Sequence, residues 1–251
     1  MALGGLGLFF LEGAAGTALL LLCFPVKTLG KGFFSLHAAI AFAFVGLAAL
    51  VRPAGLPVTV TAVSAACLAA YALAAHAGRA ALGLPLLAIG GGSAAWALGR
   101  VASVAPRGAG DAWVLAGAAL GGLFFGAVLL VMNLGHWYLV SRSLPFRLLA
   151  RGALLFAILA GARTLLLGAA ILLDRGEGLS ALLSLERDAL FFLFRVMWGI
   201  VGPLALSWFI WKTADMKSNQ AATGLLYVAL VFVLIGELLS SYLTVATGFP
   251  A

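Results

Sequence analysis

The chain has 251 residues, 64% of them hydrophobic and 9% charged, with a mean hydropathy of +1.17, values that a water-soluble domain of this size cannot carry on its surface. Its net charge of +7 is distributed singly or in small groups between apolar runs, which is the pattern of membrane topology and not of a nucleic-acid-binding face. Cys23 and Cys67, its two cysteines, both lie in apolar segments and read as packing residues, with no disulfide or metal framework.

A bilayer core needs about 20 apolar residues per helix at ~1.5 Å rise each. Eight stretches meet that length: 4–24, 33–51, 56–78, 81–104, 112–139, 147–173, 189–211 and 220–246. They are long, continuous and rich in leucine and alanine, unlike the short alternating segments of a membrane barrel. The expected fold class is therefore all-α, a polytopic integral membrane helix bundle forming one transmembrane domain over residues 1–251.

The first span lacks the basic start and small-x-small site of a cleaved leader, and is expected to stay as a helix. Pro85 and Gly90-Gly91-Gly92 interrupt the fourth span, which is expected to be the weakest. In the fifth, Gly117, Gly121, Gly122 and Gly126 form overlapping small-xxx-small pairs of the kind that bring helices close together. "GLGLFFLEGAAGTALLL" in the first span and "LGGLFFGAVLLVMNL" in the fifth are loosely alike, which raises a 4+4 internal duplication. The loop 174–188 carries leucines suited to a short helix on the membrane surface.

Orientation follows from the basic residues, which are retained on the cytoplasmic side. One set of loops holds Lys27, Lys31, Arg79, Arg142, Arg147, Arg151, Lys212 and Lys217 against a single acid, Asp215. The other set holds Arg52, Arg100, Arg107, Arg175 and Arg187 against Asp111, Asp174, Glu177, Glu186 and Asp188. Both termini are thus expected to be non-cytoplasmic, in an inner (cytoplasmic) membrane.

Four ionisable residues fall well inside spans: Glu12 in the first, Arg163 in the sixth, Arg195 in the seventh and Glu237 in the eighth. A lone charge at mid-bilayer costs at least ~2.5 kcal/mol, so such groups face a partner or a cavity. Each lies seven to eleven residues from the external end of its span, which predicts two acids and two bases at one depth. They are the candidate catalytic or proton-carrying residues, although buried ion pairs also fix helix packing without any chemistry. Gln220, Tyr227 and Ser241 recur at sevenfold spacing on the eighth span, near Thr223, Gly224 and Glu237, and predict a polar stripe running from the cytoplasmic end toward the charges.

His37, His76 and His136 all fall near the cytoplasmic ends of their spans, at the depth two haem b ligands require. His136 shares a helical turn with Asn133, and the pair suits a quinone carbonyl as well. The same stretch, "NLGHWYLVSRSLPFRLLARG", also reads as a membrane interface, with Trp137 and Tyr138 at headgroup depth and arginines beyond. Candidate cofactor-binding residues are therefore His136, Asn133, His37, His76, Tyr227 and Gln220; no other metal site, zinc motif, P-loop or nucleophile elbow is present in a suitable context.

The leading functional expectation is a subunit of a bacterial-type inner-membrane electron and proton-transfer system that binds a quinone or haem. One alternative is a small proton-coupled transporter that uses the Glu/Arg cluster and an unwound fourth span. Another is a non-catalytic assembly or scaffold subunit. Expected partners are the lipid bilayer and other membrane subunits, without nucleic acid.

Overall fold

The computed structural model describes residues 2–104, 111–140, 144–145, 147–173, 179, 182–183 and 186–250. Of the expected surface helix within 174–188, residues 174–178, 180–181 and 184–185 lie outside the described residues, as do Arg107, Arg142 and Ser143. The elements are α1 (Ala2–Leu21), α2 (Val26–Val51), α3 (Val58–His76), α4 (Leu84–Ala102), α5 (Asp111–Val140) and α6 (Arg147–Leu173). They continue with α7 (Glu186–Val196), a π-helical turn (Met197–Val201), α8 (Gly202–Asp215) and α9 (Asn219–Thr247). The seventh span is α7, the π turn and α8 together, so eight helices are long and apolar enough to cross a membrane. The protein is an all-α bundle, with no strand among the described residues.

Each group of four spans closes on itself. α1 packs on α2 and α4, and α3 joins α2 to α4; in the second half α5 packs on α6 and α9, and α8 joins α6 to α9. The halves meet along α1 and α5, flanked by α1 against α9 and α4 against α5. The contact pattern of the first four spans recurs in the second four.

Lipid tails are as apolar as leucine, so membrane helices gain from close van der Waals packing and not from burial as such. Glycine supplies that closeness where α1 crosses α5. A Cβ on Gly16 would collide with the carbonyl of Gly122, and a Cβ on Gly126 would collide with the backbone of Gly16. Glycines do the same between the seventh and eighth spans, where Gly199 and Gly236 stand Cα against Cα.

The expected interruption of the fourth span does not occur. α4 runs unbroken from Leu84 to Ala102 with Pro85 in its first turn, where a missing N–H costs nothing. Gly90 lies against Leu68 and Cys67, and Gly91 against Ala18 and Leu19, while Gly92 faces open space; all three lie within the helix and supply no unwound segment. The irregularities lie elsewhere. Gly30, at φ 75° and ψ 173°, leaves the helical region and kinks α2 near its start, and a second break lies in the seventh span. Gly202 N–H bonds to Met197 O five residues back, forming a π turn just before Pro203, whose ring lacks an N–H and crowds the carbonyl four residues earlier.

Candidate functional site

Helix geometry alone brings the four charged residues level. Glu12, Arg163, Arg195 and Glu237 stand nine or ten residues from the ends of their helices at Ala2, Leu173, Glu186 and Thr247, about 15 Å at the α-helical rise. Those ends share one side of the bundle, since Gly4 and Gly5 of α1 abut Val245 and Tyr242 of α9.

The side chains meet in the interior. Arg163 donates from Nη2 to Glu237 Oε2 at 3.0 Å and from Nε to Oε1 at 3.3 Å, a bidentate fork of the kind by which buried guanidinium survives. Its Nη2 also donates to Ser240 Oγ at 2.6 Å. Arg195 approaches Glu237 Oε1 from the other side with Nη2 at 3.0 Å, an ion pair off the hydrogen-bond direction. Its Nε and Nη1 have no acceptor among the described residues. All four charged side chains are 0 to 1% exposed.

Glu12 is held differently. Ser241 donates its hydroxyl to Glu12 Oε2 at 2.8 Å, a neutral partner where Glu237 has two cations. Gly121 of α5 forms the floor between the two acids. A Cβ there would lie 2.7 Å from Glu237 Oε2, 3.3 Å from Glu12 Oε1 and 3.5 Å from Arg163 Nη2. Gly199 and Gly236 make the corresponding room around Arg195 Nη1. Beyond the cluster the chain turns at Gly248, whose positive φ of 73° glycine adopts without strain, and brings Pro250 against Gly117. Phe249 is fully buried there, edge-on to Phe192.

The expected polar stripe on α9 divides. Thr223, Glu237, Ser240, Ser241 and Thr244 are buried, but Gln220 and Tyr227 are exposed, and Leu226, Ala229 and Val233 fill the inward face between Thr223 and Glu237. No continuous polar route runs up this face to the charges. Ser240 and Gly121 were missed by the sequence reading. Ser240 had a signal, being one turn beyond Glu237, whereas Gly121 had been read only as packing.

The histidines do not converge. His37 donates from Nδ1 to Phe33 O at 2.7 Å, and Asn133 donates from Nδ2 to His37 Nε2 at 3.1 Å, so both ring nitrogens are occupied. His136 shares a 3.2 Å hydrogen bond through Nδ1 with the Tyr227 hydroxyl. Both His136 and His76 are exposed, and His76 joins neither pair. A bis-imidazole haem needs two free nitrogens facing one another, and these residues do not fit it. Among the described residues no cluster of histidine, cysteine or carboxylate fits a metal ion.

The turn holding Asn133, His136, Trp137 and Tyr138 is a strut with four attachments. Asn133 and Trp137 reach α2, through His37 and through an edge-on contact with Phe33 at 5.8 Å. His136 reaches α9. Tyr138 donates its hydroxyl to Pro145 O and accepts the Leu149 N–H at 3.3 Å, fastening the end of α5 to the start of α6.

Fold and site together are those of an all-α bundle in which, among the described residues, eight helices are long and apolar enough to cross a membrane and four charged side chains meet in the interior. Comparison with family models, with curated proteins and with solved structures finds no match.

Proposed function

We propose that the protein is a subunit of a bacterial-type inner-membrane electron and proton-transfer system, with Glu12 as its proton-accepting group and a quinone as its redox partner. The unequal treatment of two carboxylates at one depth carries this reading. Glu237 is clamped by two guanidinium groups, whereas Glu12 is answered by one serine hydroxyl. Arg163, Arg195 and Glu237 together carry one excess positive charge, which an ionised Glu12 cancels. A proton on Glu12 restores that excess in a medium of low dielectric, where an uncompensated charge is costly. Proton uptake is therefore favoured when a negative charge arrives within electrostatic range, and an electron on a quinone beside Tyr227, about 15 Å along α9 from Glu237, supplies one through the low-dielectric interior.

The His136 and Tyr227 pair, exposed between α5 and α9, supports the quinone assignment, because imidazole and phenol both suit a carbonyl oxygen. Haem is not part of the proposal, since the histidines do not fit it. The transport alternative uses the same carboxylate but loses the unwound fourth span on which it drew.

Organic extraction of the purified protein, followed by dye-detected proton uptake in vesicles during quinone reduction by a partner subunit, tests the reading. A bound quinone, with proton uptake lost in Glu12→Gln, is expected. Absence of quinone together with gradient-driven solute uptake that is lost in Glu12→Gln overturns it in favour of transport. Absence of both overturns it in favour of a scaffold.

A further inference from the structure

A cavity of about 310 Å³ opens at the basic end of the bundle, far from the charge cluster, between the α1–α2 connection and α6. Cys23, Phe24 and Pro25 line one wall. Leu148, Arg151, Gly152 and Leu155 line the other, at the i, i+3, i+4, i+7 spacing that places them on one helical face. Gly152 keeps α6 close to α5, since a Cβ there would stand 3.1 Å from Val131. Arg151 is exposed at the cavity and has no acid partner among the described residues.

We infer that this cavity binds an anionic phospholipid, with the headgroup phosphate on Arg151 and an acyl chain along Leu148, Leu155 and Phe24. Charge complementarity selects this occupant. The loops at this end carry eight lysines and arginines against one aspartate, and basic residues at a membrane surface attract anionic lipid by about 1 kcal/mol each. The apolar wall distinguishes a lipid from a free phosphate, which would gain nothing from leucine and phenylalanine. A guanidinium, with its planar fork of donors, suits a phosphodiester.

Native mass spectrometry of the full chain released from phosphatidylcholine nanodiscs doped with phosphatidylglycerol tests the site. The wild type is expected to retain phosphatidylglycerol in preference to phosphatidylcholine. Retention should fall about fivefold in Arg151→Gln, the equivalent of one lost charge contact at the site, and fall by much less in Lys212→Gln, which adds only to the general field at the same end. Leu155→Trp, which fills the cavity without altering charge, should lower retention as well. Equal retention of the two lipids, equal loss in Lys212→Gln, or complete displacement of phosphatidylglycerol by inorganic phosphate would overturn the assignment.

Discussion

Replacing Glu237 by glutamine removes the counter-charge of two guanidinium groups that are 0 to 1% exposed, and breaking a buried pair in this way costs about 3–5 kcal/mol. Glu237→Gln should therefore accumulate poorly and lose several degrees of melting temperature in detergent. Glu12→Gln keeps an oxygen to accept the Ser241 hydroxyl, so it should fold with a smaller loss while abolishing proton uptake. Equal destabilisation by the two variants would make the cluster a structural lock. A second residue-scale expectation concerns His37, whose nitrogens are taken by Phe33 O and Asn133. The purified protein should show no Soret band, and Asn133→Leu, which strips His37 Nε2 of its donor, should cost about 1–3 kcal/mol with no change in the visible spectrum. The depth of the charges was legible in the sequence, because span limits and helical rise fix it. Which acid each arginine would choose was not legible, since that depends on helix rotation and on Gly121 leaving space. The partners of His37 and His136, 96 and 91 residues away, carried no local signal at all.

At the scale of elements, the crossing of α1 and α5 sets the position of the site, since Gly122 lies against the backbone of Glu12. Gly16→Ala should force these helices apart and lower resistance to denaturation sharply, because the added methyl would meet a carbonyl that cannot move without the whole helix. Gly161→Ala and Gly168→Ala on α6 meet nothing within 4 Å and should be neutral or stabilising by up to about 1 kcal/mol, the helix-propensity difference. Detergent unfolding followed by far-ultraviolet circular dichroism separates the two classes, and similar losses in all three would remove the close crossing. Helix limits were readable from hydropathy to within a few residues, apart from the start of α2, which lies seven residues before the expected one and is set off by the break at Gly30. The proline signals read unevenly: Pro203, in mid-span, does weaken its helix and a π turn absorbs it, whereas Pro85 falls in an opening turn, where its missing N–H is harmless.

Over the whole molecule, two rings of four helices share a packing plan but not a chemistry. The second ring supplies Arg163, Arg195 and Glu237 to the charge cluster, with Glu12 reaching across from α1, whereas α2, α3 and α4 carry no charged residue well inside their spans. The intramembrane charges sum to zero, and one set of loops carries five bases against five acids, so the entire +7 excess lies in the other set. That asymmetry predicts the direction of insertion, because translocating lysine and arginine is opposed where acids have little say. Cys23 is exposed at the basic end, whereas Ala54, exposed in the connection between α2 and α3, lies at the opposite end. In intact cells a membrane-impermeant maleimide should therefore modify Ala54→Cys in a Cys23→Ala, Cys67→Ala background and spare native Cys23 until the membrane is permeabilised. Labelling in the reverse order would invert the bundle and place the anionic-lipid cavity on the outer leaflet.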